Sequence, residues 1–355
     1  MTTLTYPDRR SDPAAWAKEL GISRHAVELY LACEVVDLHL DSFIWARVFG
    51  YDLARSHGRG LLRGWFFGHA DFPRVRAASI GGAIWSITTN PARGSGDRAR
   101  AFHENLGALT RAFRALPNDF ELARNLADYR RARCAGRHAA FIGVQGGNAL
   151  SVSDLETLDP RVIRITLVHL TTSALGATSA PLKRRDSGLS AAGAEYVRAL
   201  NRRQTFVDLA HIGPRGFWEA VRVHDRSQPL MVSHTGVSAE HTHWRNVDDA
   251  QIRAVADTGG VVGIIYHAAF LGDPLWAGRL ESIVRHLEHV RRIGGDDAPS
   301  LGSDWDGAIV PPANLRSCDE LPRMVQVMLD RGWSETQVEK TLGSNFLGAL
   351  ERLRG

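Results

Sequence analysis

Eight short apolar runs, separated by longer amphipathic stretches, occupy residues 33 to 304 and constrain the fold more than any other feature. They are CEVVDLHLD (33–41), ASIGGAIWSIT (78–88), AAFIGVQG (139–146), VIRITLVHL (162–170), QTFVDLAH (204–211), PLMVSH (229–234), GVVGIIYH (260–267) and PSLGSD (299–304). Each is a nearly continuous apolar run rather than a clean alternation, which suits parallel strands buried on both faces. The intervening stretches 98–133, 190–203, 214–226, 246–258 and 275–293 carry helical periodicity. Eight strands joined by helical crossovers predict an α/β fold, a closed (β/α)8 TIM-type barrel. An open doubly wound sheet is the main alternative, but no GxGxxG motif follows the first run. Residues 1–30 read as a helical N-terminal extension and 318–352 as two C-terminal helices. With no linker and no low-complexity segment, the expectation is a single barrel domain over residues 1–355.

Charge and cysteine usage narrow the functional classes. The net charge is +4, but lysine occurs only at 18, 183 and 340, and the arginines are scattered among Asp and Glu. No basic stripe forms, so nucleic acid is not an expected partner. Three cysteines, Cys33, Cys134 and Cys318, lie far apart with no CxxC pair, which argues against a disulfide scaffold or a thiolate zinc site. No window approaches the length of a membrane-spanning helix, and the N-terminus lacks a signal-peptide layout, so the expected location is cytoplasmic.

Polar side chains cluster at the C-terminal ends of the runs. The first ends in His39 and Asp41, the third in Gln145, the fourth in His169, the fifth in His211, the sixth in His234 and the eighth in Asp304. In a barrel these ends converge on one face, where active sites are built. His-x-Asp on a strand puts both side chains on the same face. Imidazoles and carboxylates added from neighbouring strands make a hard N/O site suited to a divalent ion such as Zn2+. The remaining histidines at 25, 57, 69, 103, 138, 224, 241, 243, 286 and 289 read as structural. His267 closes the seventh run and is a weaker candidate for the pocket wall. Asp208 reads as a group that orients a neighbour or caps the barrel rim. The aromatic segment GWFFGHADF (64–72) reads as packing, with a second role as a pocket wall.

These segments, with GVQGGNAL (143–150), VSHTGV (232–237), RNVDD (245–249), LGSDWDG (301–307) and LGSNFL (342–347), occur in an order that resembles the membrane (renal) dipeptidase family, peptidase family M19. These are metallopeptidases on an amidohydrolase-type barrel, and the resemblance spans almost the whole chain. It implies hydrolysis of dipeptides or related small carboxylated amides with two zinc ions. By position, His39 and Asp41 would hold one metal, and His211 and His234 the other, with Gln145 at the bridging place. Asp304 would be the acid/base carboxylate, His169 would stabilise the oxyanion, and Arg245 would grip the substrate carboxylate. Family members often form homodimers, and the resemblance extends that expectation here. The secretion signal and lipid anchor of eukaryotic members have no counterpart in this sequence.

Two positions depart from the family pattern. The bridging residue of the family is a glutamate, where this chain has GVQGG with Gln145; an amide offers one neutral oxygen and two N–H donors instead of two anionic oxygens. Leu40 stands where the family usually has Asn, which predicts an altered pocket floor. Three readings follow: a dinuclear zinc dipeptidase that tolerates Gln145, a related enzyme with one metal or none acting on another small amide, and a non-catalytic binding protein. Side-chain preference is assigned to the loops 51–75 and 172–190.

Overall fold

The computed structural model describes residues 4–58, 64–89, 94–181 and 186–355. Nine parallel strands form: β1 Val36–Leu40, β2 Gly82–Thr88, β3 Phe120–Leu122, β4 His138–Gln145, β5 Val162–Thr166, β6 Phe206–Asp208, β7 Met231–Thr235, β8 Val261–Ile264 and β9 Pro299–Leu301. Their order is β2-β1-β9-β8-β7-β6-β5-β4-β3, and a further pairing of β2 with β4 closes eight of them into the expected barrel. Every strand residue except two in β3 is buried, which is why the runs showed no alternation.

The ninth strand was not expected. It splits the stretch read as one helix (98–133) into helices Ser95–Arg114 and Leu126–Cys134. Pro117 and Asn118 follow the first helix, and a proline there cannot continue it. The Asn125 side chain then caps the next helix by accepting the Asp128 N–H at 2.9 Å. Between them β3 pairs with His138–Ala140, the start of β4, while β5 pairs further along at Ile142–Gln145.

The N-terminal extension contains two helices, Pro13–Leu20 and Arg24–Ala32. The C-terminal region contains Pro322–Asp330, then a longer helix from Glu335 to Arg354 interrupted by a π-turn at Lys340–Ser344. The last helix closes the barrel end opposite the polar residues. Phe346 and Leu350 join an apolar cluster with Leu38, Ile84, Phe141, Phe206, Met231 and Val261 from six strands. Arg354 donates to the carbonyls of Pro160 (2.7 Å) and Gln204 (2.5 Å), which precede β5 and β6. Among the described residues no helix is long and apolar enough to cross a membrane.

Candidate metal centre

The predicted residues do gather at one mouth of the barrel, though not all lie within strands. His39, Gln145 and His234 belong to β1, β4 and β7, and Asp41 follows β1 directly. His169, His211 and Asp304 each lie three residues beyond the last residue of β5, β6 and β9. His211 and Asp304 hold left-handed backbone, with φ of 66° and 60°. For side chains with a Cβ this costs on the order of 1–3 kcal/mol, a strain typical of functional sites. Gly307 has to be glycine because a Cβ there would strike the Asp304 carboxylate.

His39 Nε2 is fully buried without a hydrogen-bond partner. It lies 3.6 Å from Asp41 Oδ2 and 3.5 Å from Asp304 Oδ1. Two ligand atoms each about 2.1 Å from one tetrahedral divalent ion lie about 3.4 Å apart, so these spacings fit ligands of a shared cation. His39, His234 and Asp304 each offer an atom within 4.8 Å of the others. The Nε2 atoms of His211 and His234 lie 2.9 Å apart. Burial, and then the charges of Arg245 and neighbouring imidazoles, keep both rings far below the usual histidine pKa and therefore neutral. Two neutral ring nitrogens that close need a proton or a cation between them. The donor set thus fits a divalent ion.

A buried polar network beneath these ligands orients them. The Ser233 hydroxyl donates to Asp208 Oδ2 at 2.6 Å and lies 2.8 Å from His234 Nδ1. It therefore accepts Nδ1–H, which leaves the His234 Nε2 lone pair facing the site. Ser86 Oγ lies 3.3 Å from His39 Nδ1 and accepts from Arg164. Arg164, fully buried, reaches Asp208 Oδ2 at 2.8 Å. It passes Gly143 so closely that a Cβ there would collide with the guanidinium. Burial would raise the Asp208 pKa, but Arg164 and the surrounding donors hold it below the usual carboxylate range. Asp208 thus orients a neighbour, as expected. Arg164, Ser86 and Ser233 escaped the sequence reading, although an arginine inside the apolar run VIRIT was a visible signal.

Gln145 turns its amide nitrogen toward the histidines, at 3.1 Å from His211 Nε2 and 3.5 Å from His234 Nε2. Its Oε1 lies 2.8 Å from Thr88 Oγ1, its direct neighbour in the β2–β4 register. In this orientation Gln145 presents donors, not a ligand atom, to the imidazoles. The Thr88 hydroxyl also lies 2.8 Å from Asp41 Oδ1, so its single proton faces two acceptors.

The acidic pair is asymmetric. Burial and the Asp41 carboxylate push Asp304 well above the usual range. For Asp41 burial acts in the same direction, but His39 and the Thr88 hydroxyl outweigh it and hold the carboxyl low.

A cavity of about 320 Å³ opens over this centre. Asp41, Gln145, His169, His211, His234, Arg245, His267 and Asp304 line it, as do Ile44, Trp45, Leu170, Trp244, Phe270 and Ile309. His169 packs its ring 4.7 Å from that of His211. Arg245 is buried, donates to the His234 carbonyl at 2.7 Å and leaves Nε unpartnered. Burial pushes its pKa down to about 10, so it stays cationic. Leu40 packs into the apolar core instead of lining the cavity, on the face opposite His39 and Asp41. None of 64–72 lines it either; Phe67 backs Trp45 at 4.9 Å and Phe72 is core. His69 and His138 are buried with backbone partners, consistent with structural roles. Of the two specificity loops, residues 59–63 and 182–185 lie outside the described residues.

Comparison with known proteins gives the same lineage. The family model for membrane dipeptidases, peptidase family M19, matches residues 23–354. Among solved structures, an amidohydrolase from Pseudomonas aeruginosa is 24% identical, with a TM-score of 0.76 over 92% of this chain and 98% of that one. A metallopeptidase from Rhodobacter sphaeroides, solved with a phosphinate mimic of the dipeptide L-Ala-D-Ala, is 22% identical, with a TM-score of 0.79 over 90% and 99%. The probable dipeptidase PvdM from Pseudomonas aeruginosa is 18% identical, with a TM-score of 0.81 over 95% and 99%.

Proposed function

The chain belongs to the membrane dipeptidase family, peptidase family M19, and from that premise we propose that it is a zinc-dependent hydrolase cleaving the amide bond of a dipeptide or a related small carboxylated amide. We read it as one cytoplasmic domain. The observation that carries the proposal is the buried His39 Nε2, without a partner among the described residues, held 3.5–3.6 Å from two carboxylates that line a cavity together with a buried guanidinium.

His39 and Asp41 would hold one ion, with Asp304 at its edge, and His211 and His234 a second. A bound divalent ion supplies Lewis acidity and an activated hydroxide. Asp304, which lines the cavity beside His39, is placed to take a proton from the attacking water and hand it to the leaving amine nitrogen. His169 is kept neutral, with burial pushing its pKa down to about 4, and is suited to donating a hydrogen bond to the oxygen of the attacked carbonyl. Arg245 lines the cavity and would bind the substrate carboxylate through guanidinium N–H groups not spent on the His234 carbonyl. Arg245→Ala should raise KM about tenfold to a hundredfold for carboxylated substrates, the worth of a charged hydrogen bond. Substrates with that carboxylate amidated should change little; an equal loss for both would refute the grip.

A second reading keeps one ion at His39, Asp41 and Asp304, because the neutral Gln145 amide beside His211 and His234 supplies no charge to hold two cations together. Zinc stoichiometry after loading and desalting separates the two: two ions per chain support the dinuclear site, one supports the second reading. Chelation should abolish amide hydrolysis in either case. Hydrolysis that survives full zinc removal would sink the proposed chemistry.

A further inference from the structure

Resting on the hydrolase reading, we propose that the acyl half of the substrate is a neutral apolar group, so that the protein acts on N-acyl amino acids in preference to free dipeptides. A dipeptide brings an ammonium next to the scissile carbonyl, and a buried ammonium needs a carboxylate or comparable acceptor. The only carboxylates among the described lining residues are Asp41, Asp304 and Asp306. Asp41 and Asp304 face His39 at the centre. Asp306 is buried and already engaged: it accepts the backbone N–H groups of His69 at 2.9 Å and Ala70 at 3.1 Å, and the Ser42 hydroxyl at 2.5 Å. The segments outside the description, 1–3, 59–63, 90–93 and 182–185, contain no Asp or Glu. Arg245, which lines the same cavity, would repel an ammonium.

Apart from His267, whose Nδ1 accepts the Val310 N–H at 3.2 Å, the remaining wall is apolar. Ile44, Trp45, Leu170, Trp244, Phe270 and Ile309 surround the cavity. Trp45 is fixed by its indole N–H on the Asp306 carbonyl at 2.6 Å and stacks at 5.4 Å on Phe49, which is 72% exposed. Leu170 and Trp244 are also partly exposed, at 47% and 37%. Apolar surface therefore runs from the cavity toward solvent, a path that a chain longer than acetyl can follow. Contiguous exposed apolar surface of this kind is characteristic of ligand-binding grooves.

Achiral glycine conjugates test this without a stereochemical choice. Propionylglycine is isosteric with glycylglycine, with CH3 in place of the ammonium. The zinc-loaded protein should cleave it with at least tenfold higher kcat/KM. From acetyl to octanoyl, kcat/KM should climb by up to roughly fourfold per methylene that is buried, and Trp45→Ala should cut the octanoyl-to-acetyl ratio about tenfold. A preference for glycylglycine, or a flat response to chain length, overturns the inference and leaves the hydrolase reading intact. Binding to the zinc-free protein, read by tryptophan fluorescence, separates the two claims. Octanoylglycine binding more tightly than glycylglycine there supports the inference even where no amide is cleaved, and weaker binding overturns it.

Discussion

Gln145→Glu should raise zinc affinity by at least about a hundredfold, measured by competition with a chelator of known strength. The added carboxylate would sit within about 4 Å of the bound charge, where a unit pair at an effective dielectric near 20 is worth about 4 kcal/mol. It would also replace the N–H donors that now face His211 Nε2 at 3.1 Å and His234 Nε2 at 3.5 Å. Those donors compete with a cation for the same lone pairs. The competition has a built-in release. Thr88 has one proton for both Asp41 Oδ1 and Gln145 Oε1. If the amide turns over, Nε2 donates to Thr88, Thr88 donates to Asp41, and Oε1 faces the two histidines as an acceptor. Thr88 and Asp41 are then both satisfied, and a cation at the histidines satisfies Oε1 and their lone pairs together, so metal binding favours the turned orientation. The amide is thus a tolerable but uncharged substitute for the family's glutamate. If the glutamate variant binds zinc no more tightly than the parent, this account of position 145 is wrong.

Much of this arrangement was legible in the sequence, and the reasons differ residue by residue. His39 and Asp41 could be paired because a strand repeats every two residues. The barrel itself followed from apolar runs spaced by helices, and it explains why side chains as distant as Asp41 and Asp304 meet. What the sequence hid depends on three-dimensional register or backbone conformation. Thr88 matters only because β2 pairs with β4 so that it stands beside Gln145. The left-handed turns at His211 and Asp304 have no glycine or asparagine to announce them. β3 is three residues long, too short to carry a period, and lies inside an otherwise helical pattern. The apolar lining comes from residues such as Trp45, in the short helix Phe43–Phe49, and Trp244, in a turn after β7, which no motif marks as neighbours.

Asp208→Asn should cost about 3–5 kcal/mol of stability, because it leaves the Arg164 guanidinium buried without a counter-charge. Arg164 and Asp208 are both completely buried, and the carboxylate also accepts from Thr166 Oγ1 at 2.6 Å, from the Ala210 N–H at 3.0 Å, and from the Ser233 N–H at 3.0 Å. Asparagine keeps one acceptor oxygen, turns the other into a donor aimed at donors, and removes the charge. Chemical denaturation should register the full loss, with a Tm lower by about 4–7 °C. Exchanging both partners, Arg164→Met with Asp208→Leu, should recover most of it, since a well-packed apolar pair is often as stable as a buried ion pair. The two variants should nevertheless share a second defect. Ser233 sends its proton to Asp208 and takes one from His234 Nδ1. Without the carboxylate, nothing fixes the tautomer that leaves His234 Nε2 open, and zinc affinity should fall about tenfold to a hundredfold. Stability restored without affinity would separate the two duties of Asp208. A loss below about 1 kcal/mol for Asp208→Asn would mean that water or a shifted side chain compensates Arg164, and the buried network would then be decoration rather than the platform on which the metal ligands stand.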